Sequence, residues 1–496
     1  MRQALRHLRA LHDREEGGIL ALTGLSLVLL LGLSAFATDL GWFYVNANRV
    51  QRAADAAALA GVIHMPQDFP QASADALSVA KANGLESGVG SAVVTPAVVP
   101  DEPHQLSVTV TDTVPTFFLR AFGQDAQTIT RSATAEFIPP LPMGSPGNTF
   151  GNPPGCAGGG AGCPEFWANI HGRYTDTRMG DGHSSYCNDG SGSGAGCPGP
   201  QDGWRADGYT YGVDVDDPGT TSFTLQLLDM NLHVPGGDLK RTGDHNVCGG
   251  CGGAGHTVEV SVFYPDPTPL DLSDNVPVPG CAQSYGPLPE LAAAAPYVWD
   301  THCTVNNPVE GIYPVRIRVV TPNPGDDTGL NRYSIRVTGA GGSPRLYALG
   351  DMSLFNNITA GAPNFYLAEV ADFYRGKTFV VELYDPGDAQ SGVPNIISVV
   401  GPTGGTWSSC RFYEKPNFTG SWTSKGTLSP CAINATRPAN DYNGDWLKVE
   451  MDLPDTYACG ADCWWQIDYN YSGTAQDTTT WRAYIIGNPI HLVPNG

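Results

Sequence analysis

Apolar and polar positions follow three patterns along this chain. Residues 19–37 contain no charge and are almost all apolar; at about 1.5 Å of rise per residue, a helix of that length spans roughly 28 Å, a bilayer's hydrocarbon thickness. This predicts a transmembrane helix. From Asp39 to Gly61 helix breakers are few, and Leu40, Tyr44, Ala47, Ala54, Ala57 and Gly61 recur at steps of three or four residues, or multiples of them. Such a narrow face of small residues suits close packing, and these six residues are assigned to contact with a partner helix. Trp42, Phe43 and Tyr44 stand where an aromatic interfacial belt would lie.

The third pattern is alternation. A short helix over 72–83 precedes segments of β-branched or alternating character at 93–99, 105–110, 117–119 and 128–137, predicting an α+β module over 38–138. Prolines and glycines make 139–162 a linker. The remainder reads as a duplication: 223–229 and 379–385 align without a gap as strands entering an acidic turn, and 333–339 corresponds loosely to 481–487. The expected fold class is mainly β with an N-terminal transmembrane helix. The α+β module precedes two tandem disulfide-bonded, jelly-roll-like β-sandwich modules at 163–341 and 344–492. A glycine-rich insertion, 175–203, is expected as a disulfide-pinned surface loop.

Composition agrees with many short strands: of 496 residues only 15% are charged, while glycine (61) and proline (40) are frequent. A formal net charge of −22 argues against nucleic acid as a partner. Arg2, Arg6, Arg9 and Arg14 precede the apolar run, so the positive-inside rule makes 1–18 cytoplasmic, 19–37 the span and the rest extracytoplasmic. Ala35-Phe36-Ala37 has the form of a signal-peptidase site. The apolar run is longer than a usual signal core, however, and the helical pattern crosses the cut, so an uncleaved anchor is expected.

Twelve cysteines, Cys156, Cys163, Cys187, Cys197, Cys248, Cys251, Cys281, Cys303, Cys410, Cys431, Cys459 and Cys463, all lie beyond the anchor, as disulfides of an oxidising compartment would. His245, Cys248, Cys251 and His256 also have the residue types of a tetrahedral zinc site, although oxidation favours disulfides there. Acidic turns at Asp214, Asp216 and Asp217, at Asp385 and Asp388, and at Asp441 and Asp445 offer the oxygen ligands Ca²⁺ takes, without the EF-hand pattern; no cofactor is required by this reading. Trp464 and Trp465, with Tyr469 and Tyr471, are candidates for a sugar-stacking platform or for core. No enzymatic motif survives: Arg375-Gly376-Lys377-Thr378 lacks a P-loop's first glycine, and no Gly-x-Ser-x-Gly or His-Glu-x-x-His occurs.

Glu16-Gly17-Gly18 before the apolar helix, Asp39-Leu40-Gly41, Tyr44, and the run from Arg49 to Gly61 that includes Gln51-Arg52-Ala53-Ala54-Asp55 resemble the N-terminal module of TadE/TadG-like proteins of the tight-adherence, or Flp pilus, assembly system. The resemblance covers about the first 140 residues. It implies a pilin-like long helix followed by a small β portion, with other pilus-assembly proteins and the membrane as partners through the N-terminal helix. Cleavage between Gly17 and Gly18 would place Leu22 where pilins carry glutamate, which implies an accessory assembly protein rather than a polymerising pilin. The expectation is a non-enzymatic, single-pass component of a Tad/Flp-type pilus assembly or secretion apparatus. The alternative is a cell-surface adhesin or a glycan- or ligand-binding protein.

Overall fold

One uninterrupted helix, α1 (Arg2–Gly61), carries the apolar span and the alanine-rich stretch together, as 60 residues without proline allow. The computed structural model describes residues 2–65, 68–100, 102–144, 146–156, 163–186, 201–234, 244, 255–266, 269–289, 297–320, 329–361, 364–416, 420–460 and 462–493. They divide into two units, Met1–Pro139 with Asn488–Gly496, and Pro140–Gly487. Beyond α1 the protein is mainly β, with large antiparallel sheets and four disulfides among the described residues.

In the first unit α2 (Phe69–Ala82) starts at Asp68, whose side chain accepts the Gln71 N–H, with Pro70 in the first turn. Its Ala72, Ala76 and Ala80 repeat every four residues and are buried against the C-terminal half of α1. An antiparallel sheet of β1 (Val93–Val99), β2 (Glu102–Pro115) and β3 (Ala126–Phe137) closes the same core, with Leu106, Val108 and Val110 alternating inward. The fourth strand of this sheet is Ile490–Val493, paired antiparallel to β3 with Leu492 opposite Ala135. The chain thus leaves this unit after Pro139 and returns at Asn488, where the Ile138 N–H donates to the Pro489 carbonyl at 2.7 Å.

Two expectations change here. Residues 490–492, placed in the last sandwich, belong to the first unit, because the free edge of β3 offers backbone partners that only tertiary structure brings to them. The segment 117–119, expected as a strand, is a loop entering the short 3-10 turn Leu119–Phe122, because its N–H groups are taken by a carboxylate instead of a neighbouring strand.

In the second unit the strands expected to correspond pair in the same way: Ser222–Leu228 lies antiparallel to Leu330–Ala340, and Thr378–Tyr384 to Trp464–Ile485. Each strand enters its turn through an aspartate in the left-handed region, Asp229 and Asp385, both at φ 59°. The expected division between 341 and 344 is crossed by hydrogen bonding. Phe166–His171 pairs with both Leu330–Ala340 and Asp351–Gly361, and Tyr209–Val215 pairs with both Gly311–Val320 and Arg345–Leu349. The two halves therefore share one strand network.

The expected linker is partly sheet. Pro142–Met143 pairs with Arg345–Leu349, Thr149–Phe150 pairs with Leu330–Ala340, and Met143 and Phe150 are buried. The insertion expected as a surface loop is, over 175–186, largely interior, with Thr175, Thr177, Asp181 and Ser185 fully buried. Asp181 accounts for this by accepting the backbone N–H groups of His171, His183 and Ser184 and the Tyr209 hydroxyl, which is 2.7 Å away.

Candidate functional site

The helix face expected to meet a partner is mostly occupied. Ala47, Ala54, Ala57 and Gly61 are buried in the first unit's own core against α2 and β2, whereas Leu40 and Tyr44 stay exposed. A Cβ on Gly61 would sit 2.5 Å from the Ala72 carbonyl oxygen and 2.6 Å from Leu106 Cδ2. Small residues permit close approach without specifying to what, and here α2 and the sheet are the nearer surfaces. The apolar span, by contrast, is bare over most of its described length: the side chains of Leu20, Leu22, Leu25, Val28 and Leu29 all stand exposed. One apolar N-terminal helix of this kind is compatible with single-pass anchoring.

Where the apolar run ends, Asp39 turns inward and is buried. Its Oδ1 accepts the Phe117 N–H at 2.7 Å, and its Oδ2 accepts those of Phe118 and Leu119 at 2.9 and 2.7 Å. One carboxylate thereby satisfies three donors that a turn would otherwise leave to solvent. The tip of the β2–β3 hairpin is held to the helix at this level, with the Phe117 ring edge-on to Trp42 at 5.5 Å.

The second unit holds an acidic cluster. Asp385 and Asp388, from the turn after Thr378–Tyr384, converge with Asp477 of the strand Trp464–Ile485, each offering a carboxylate oxygen within 4.8 Å of the others. Asp385 and Asp477 are fully buried, and Asp385 Oδ2 and Asp477 Oδ1 have no hydrogen-bond partner. Burial first, then the Asp477 and Asp388 charges, push Asp385 well above the usual carboxylate range. Burial first, then Asp388, does the same to Asp477. Asp388 is raised by burial and partly relieved by Arg437, 3.6 Å away, which also pairs with Asp441 at 3.3 Å. The Asp385 N–H donates to the Asp445 carbonyl at 3.0 Å, and the Gly444 N–H donates to Asp385 Oδ1 at 2.5 Å. Three converging carboxylates, two of them with an unmet oxygen, have the donor chemistry of a site for a hard divalent cation. Asp181 contrasts with them: burial raises its carboxyl, but His171 and then the hydrogen bonds from Ser184 and Tyr209 more than reverse this and leave it below the ordinary value.

Of the expected acidic sets the 385–388 turn and the 441–445 loop are neighbours, but only Asp385 and Asp388 join the ligand-sized group, with Asp441 on Arg437 and Asp445 meeting Asp385 through its backbone carbonyl. Asp477 was absent from those expectations because it lies in a polar strand with no local ligand spacing. Asp214, Asp216 and Asp217 remain apart. Tyr347 donates its hydroxyl to Asp214 at 3.1 Å and Asp217 caps the Gly219 N–H at 2.8 Å, and among the described residues they join no ligand-sized group. His256 is buried, while its expected zinc companions His245, Cys248 and Cys251 lie outside the described residues. Cys156–Cys163, Cys281–Cys303, Cys410–Cys431 and Cys459–Cys463 are bridged; Cys187 and Cys197 also lie outside the described residues. Trp465 is core, packed on Phe379 and Trp407, and Trp464 is buried edge-on to Tyr366. Tyr469 and Tyr471 are buried too, so these four make no stacking platform.

No curated protein matches the chain. Among solved structures, the N-terminal CBM22-1-CBM22-2 tandem domain from Paenibacillus barcinonensis Xyn10C is similar over 54% of this chain and 78% of that one, at 8% identity and a TM-score of 0.13. The M60 catalytic domain with the CBM51-1 and CBM51-2 domains from Clostridium perfringens ZmpB is similar over 79% of this chain and 43% of that one, at 8% identity and a TM-score of 0.14. At these scores neither bears on what this chain does. Residues 17–80, which contain the apolar span, the Asp39 junction, the buried alanine face and most of α2, match the Tad family model, described as "Putative Flp pilus-assembly TadE/G-like".

Proposed function

We propose that this protein is a non-enzymatic, membrane-anchored component of a Tad/Flp-type pilus assembly or secretion apparatus. Its N-terminus is cytoplasmic and its second unit is held outside the membrane. The observation that carries this reading is the match of residues 17–80 to the Tad family model on a helix whose apolar half is bare and whose other half is packed. Such a helix works as a stalk: lipid or partner helices surround residues 19–37, and the α+β unit seals residues 47–61. Assembly partners then meet the exposed stretch from the span through Leu40 and Tyr44, in place of the buried Ala54 and Ala57. The disulfide-bonded second unit serves as a spacer or contact surface.

Membrane fractionation with photo-crosslinking from Leu29 and Tyr44 tests this. An intact N-terminal span in the membrane fraction, crosslinked to pilus-assembly proteins, supports the reading. A soluble product starting at Thr38, or a membrane form crosslinked to none of those proteins, refutes it.

A further inference from the structure

The hairpin tip pinned by Asp39 has a surface unlike the rest of this acidic chain. Phe117, Phe118 and Phe122 are 47%, 49% and 84% exposed, and they are neighbours in one loop, three aromatic rings bared within six residues. Between Val114 and Gln124 the only charged residue is Arg120, in a chain of net charge −22. Exposed aromatic side chains clustered around one cation are costly in water and suit a headgroup boundary, where rings lie among acyl carbonyls and a long basic side chain reaches phosphate.

Depth selects the occupant. Asp39 is two residues past Ala37, about 3 Å further along the helix axis, and an interfacial region extends roughly 5–7 Å beyond the hydrocarbon on each side. The three hydrogen bonds from 117–119 to Asp39 allow the tip no other level. Phe36 and Leu40 of α1, Val114 of β2 and Leu119 of the tip border a cavity of about 150 Å³ between helix and hairpin, which Asp39, Thr116 and Gln127 also line, so a mostly apolar surface joins the span to the tip.

We propose that the tip, residues 117–122, is a second membrane contact. Phe117, Phe118 and Phe122 lie in the interface of the leaflet at the C-terminal end of the span, Arg120 meets lipid phosphate, and Asp39 positions the tip. The two contacts together set the helix's rotation and keep the first unit upright on the bilayer, which one helix alone would leave free. This rests on the reading of residues 19–37 as a membrane span.

The test is photo-crosslinking of the full chain reconstituted in phosphatidylcholine–phosphatidylglycerol vesicles, with p-benzoylphenylalanine placed in turn at Leu29, Phe118, Phe122 and Val98. Val98 is an exposed control on β1. Lipid adducts are expected at Leu29, Phe118 and Phe122 and not at Val98, and Asp39→Ala should lower the adducts at Phe122 several-fold without changing those at Leu29. Adducts at Leu29 with none at Phe118 or Phe122 would overturn the tip contact and leave the span standing. Protein adducts in place of lipid at the tip would likewise overturn it, by making the tip a protein-docking surface. Loss of lipid adducts at Leu29 as well would remove the span reading on which the tip depends.

Discussion

Asp477→Asn probes the acidic cluster with almost no change of shape. Two unit charges about 4.8 Å apart repel by roughly 3.5 kcal/mol at an effective dielectric constant near 20. Asp477 faces Asp385 and Asp388 at that separation or less, and Arg437, which pairs with Asp388, offsets the charge only in part. Burial comes first, and charge repulsion adds to it at Asp385 and Asp477, so the fold holds protons here and Asp385, Asp388 and Asp477 are all raised. For a carboxyl raised on folding, the folded state binds the proton more tightly than the unfolded chain. Its stability contribution is complete below the unfolded value near 3.8 and is lost as pH rises through the folded one.

The asparagine cannot ionise and escapes this loss. Removing one pair repulsion, less about 1 kcal/mol for the weakened Thr479 hydrogen bond, predicts a gain of about 2.5 kcal/mol near neutral pH that fades on acidification. Hydrogen exchange of the peptides covering 378–390 and 464–485, with chelator present, measures this locally and avoids a two-state assumption for a chain of two units. Equal destabilisation at every pH would refute the electrostatic argument. Repeating the series with millimolar Ca²⁺ gives the complementary result: stabilisation of the native protein but not of the variant identifies the trio as a cation site, through ligand linkage.

Other outcomes follow from packing. Gly61→Ala is expected to cost the first unit about 1–3 kcal/mol, read as faster exchange in α2 and β2, because its Cβ would overlap backbone and Leu106. Unchanged exchange would mean that α1 does not pack there. Trp465→Ala should cost about 3–5 kcal/mol of local stability in the second unit, since the ring is fully buried among Phe379, Trp407 and Tyr457; a folded variant of native stability would return this residue to the surface. Replacing Cys410 and Cys431 by serine opens a cross-link spanning 21 residues and should lower stability by roughly 3 kcal/mol, measured by urea unfolding under non-reducing conditions. Deleting residues 488–493 should raise exchange in β3 over 134–137, where the closing strand supplies partners, and native protection there would exclude that pairing.

The apolar span, the uninterrupted helix and the strands of strongest alternation, such as 93–99, 128–137, 223–229 and 379–385, were legible in sequence because each is a local pattern. Nineteen uncharged residues, an absence of proline and a period of two need no knowledge of what lies opposite. The correspondence of Ser222–Leu228 with Thr378–Tyr384 was legible through the same alternation, and the aspartate ending each strand marked the turn, whereas the strands they pair with were not. The small-residue stripe at 47–61 announced close packing, but its partner was read wrongly: alanine and glycine specify a distance of approach, not a surface. Pro142–Met143 and Thr149–Phe150 carry turn-forming neighbours and no period, so only the waiting edges of Arg345–Leu349 and Leu330–Ala340 make them strands.

By itself, then, the sequence determined one long helix with an apolar half, a β-rich remainder and a cysteine-bearing region beyond the helix. Those are properties of neighbouring residues, set by helix geometry, alternation and side-chain chemistry. Tertiary structure alone decided that Asp39 would hold a loop 78 residues away, that Asp477 would join Asp385, and that Ile490–Val493 would complete the first unit's sheet. A carboxylate or a bare strand edge has no preferred sequence separation for its partner, so folding chooses it by proximity and by the cost of leaving a polar group unmet.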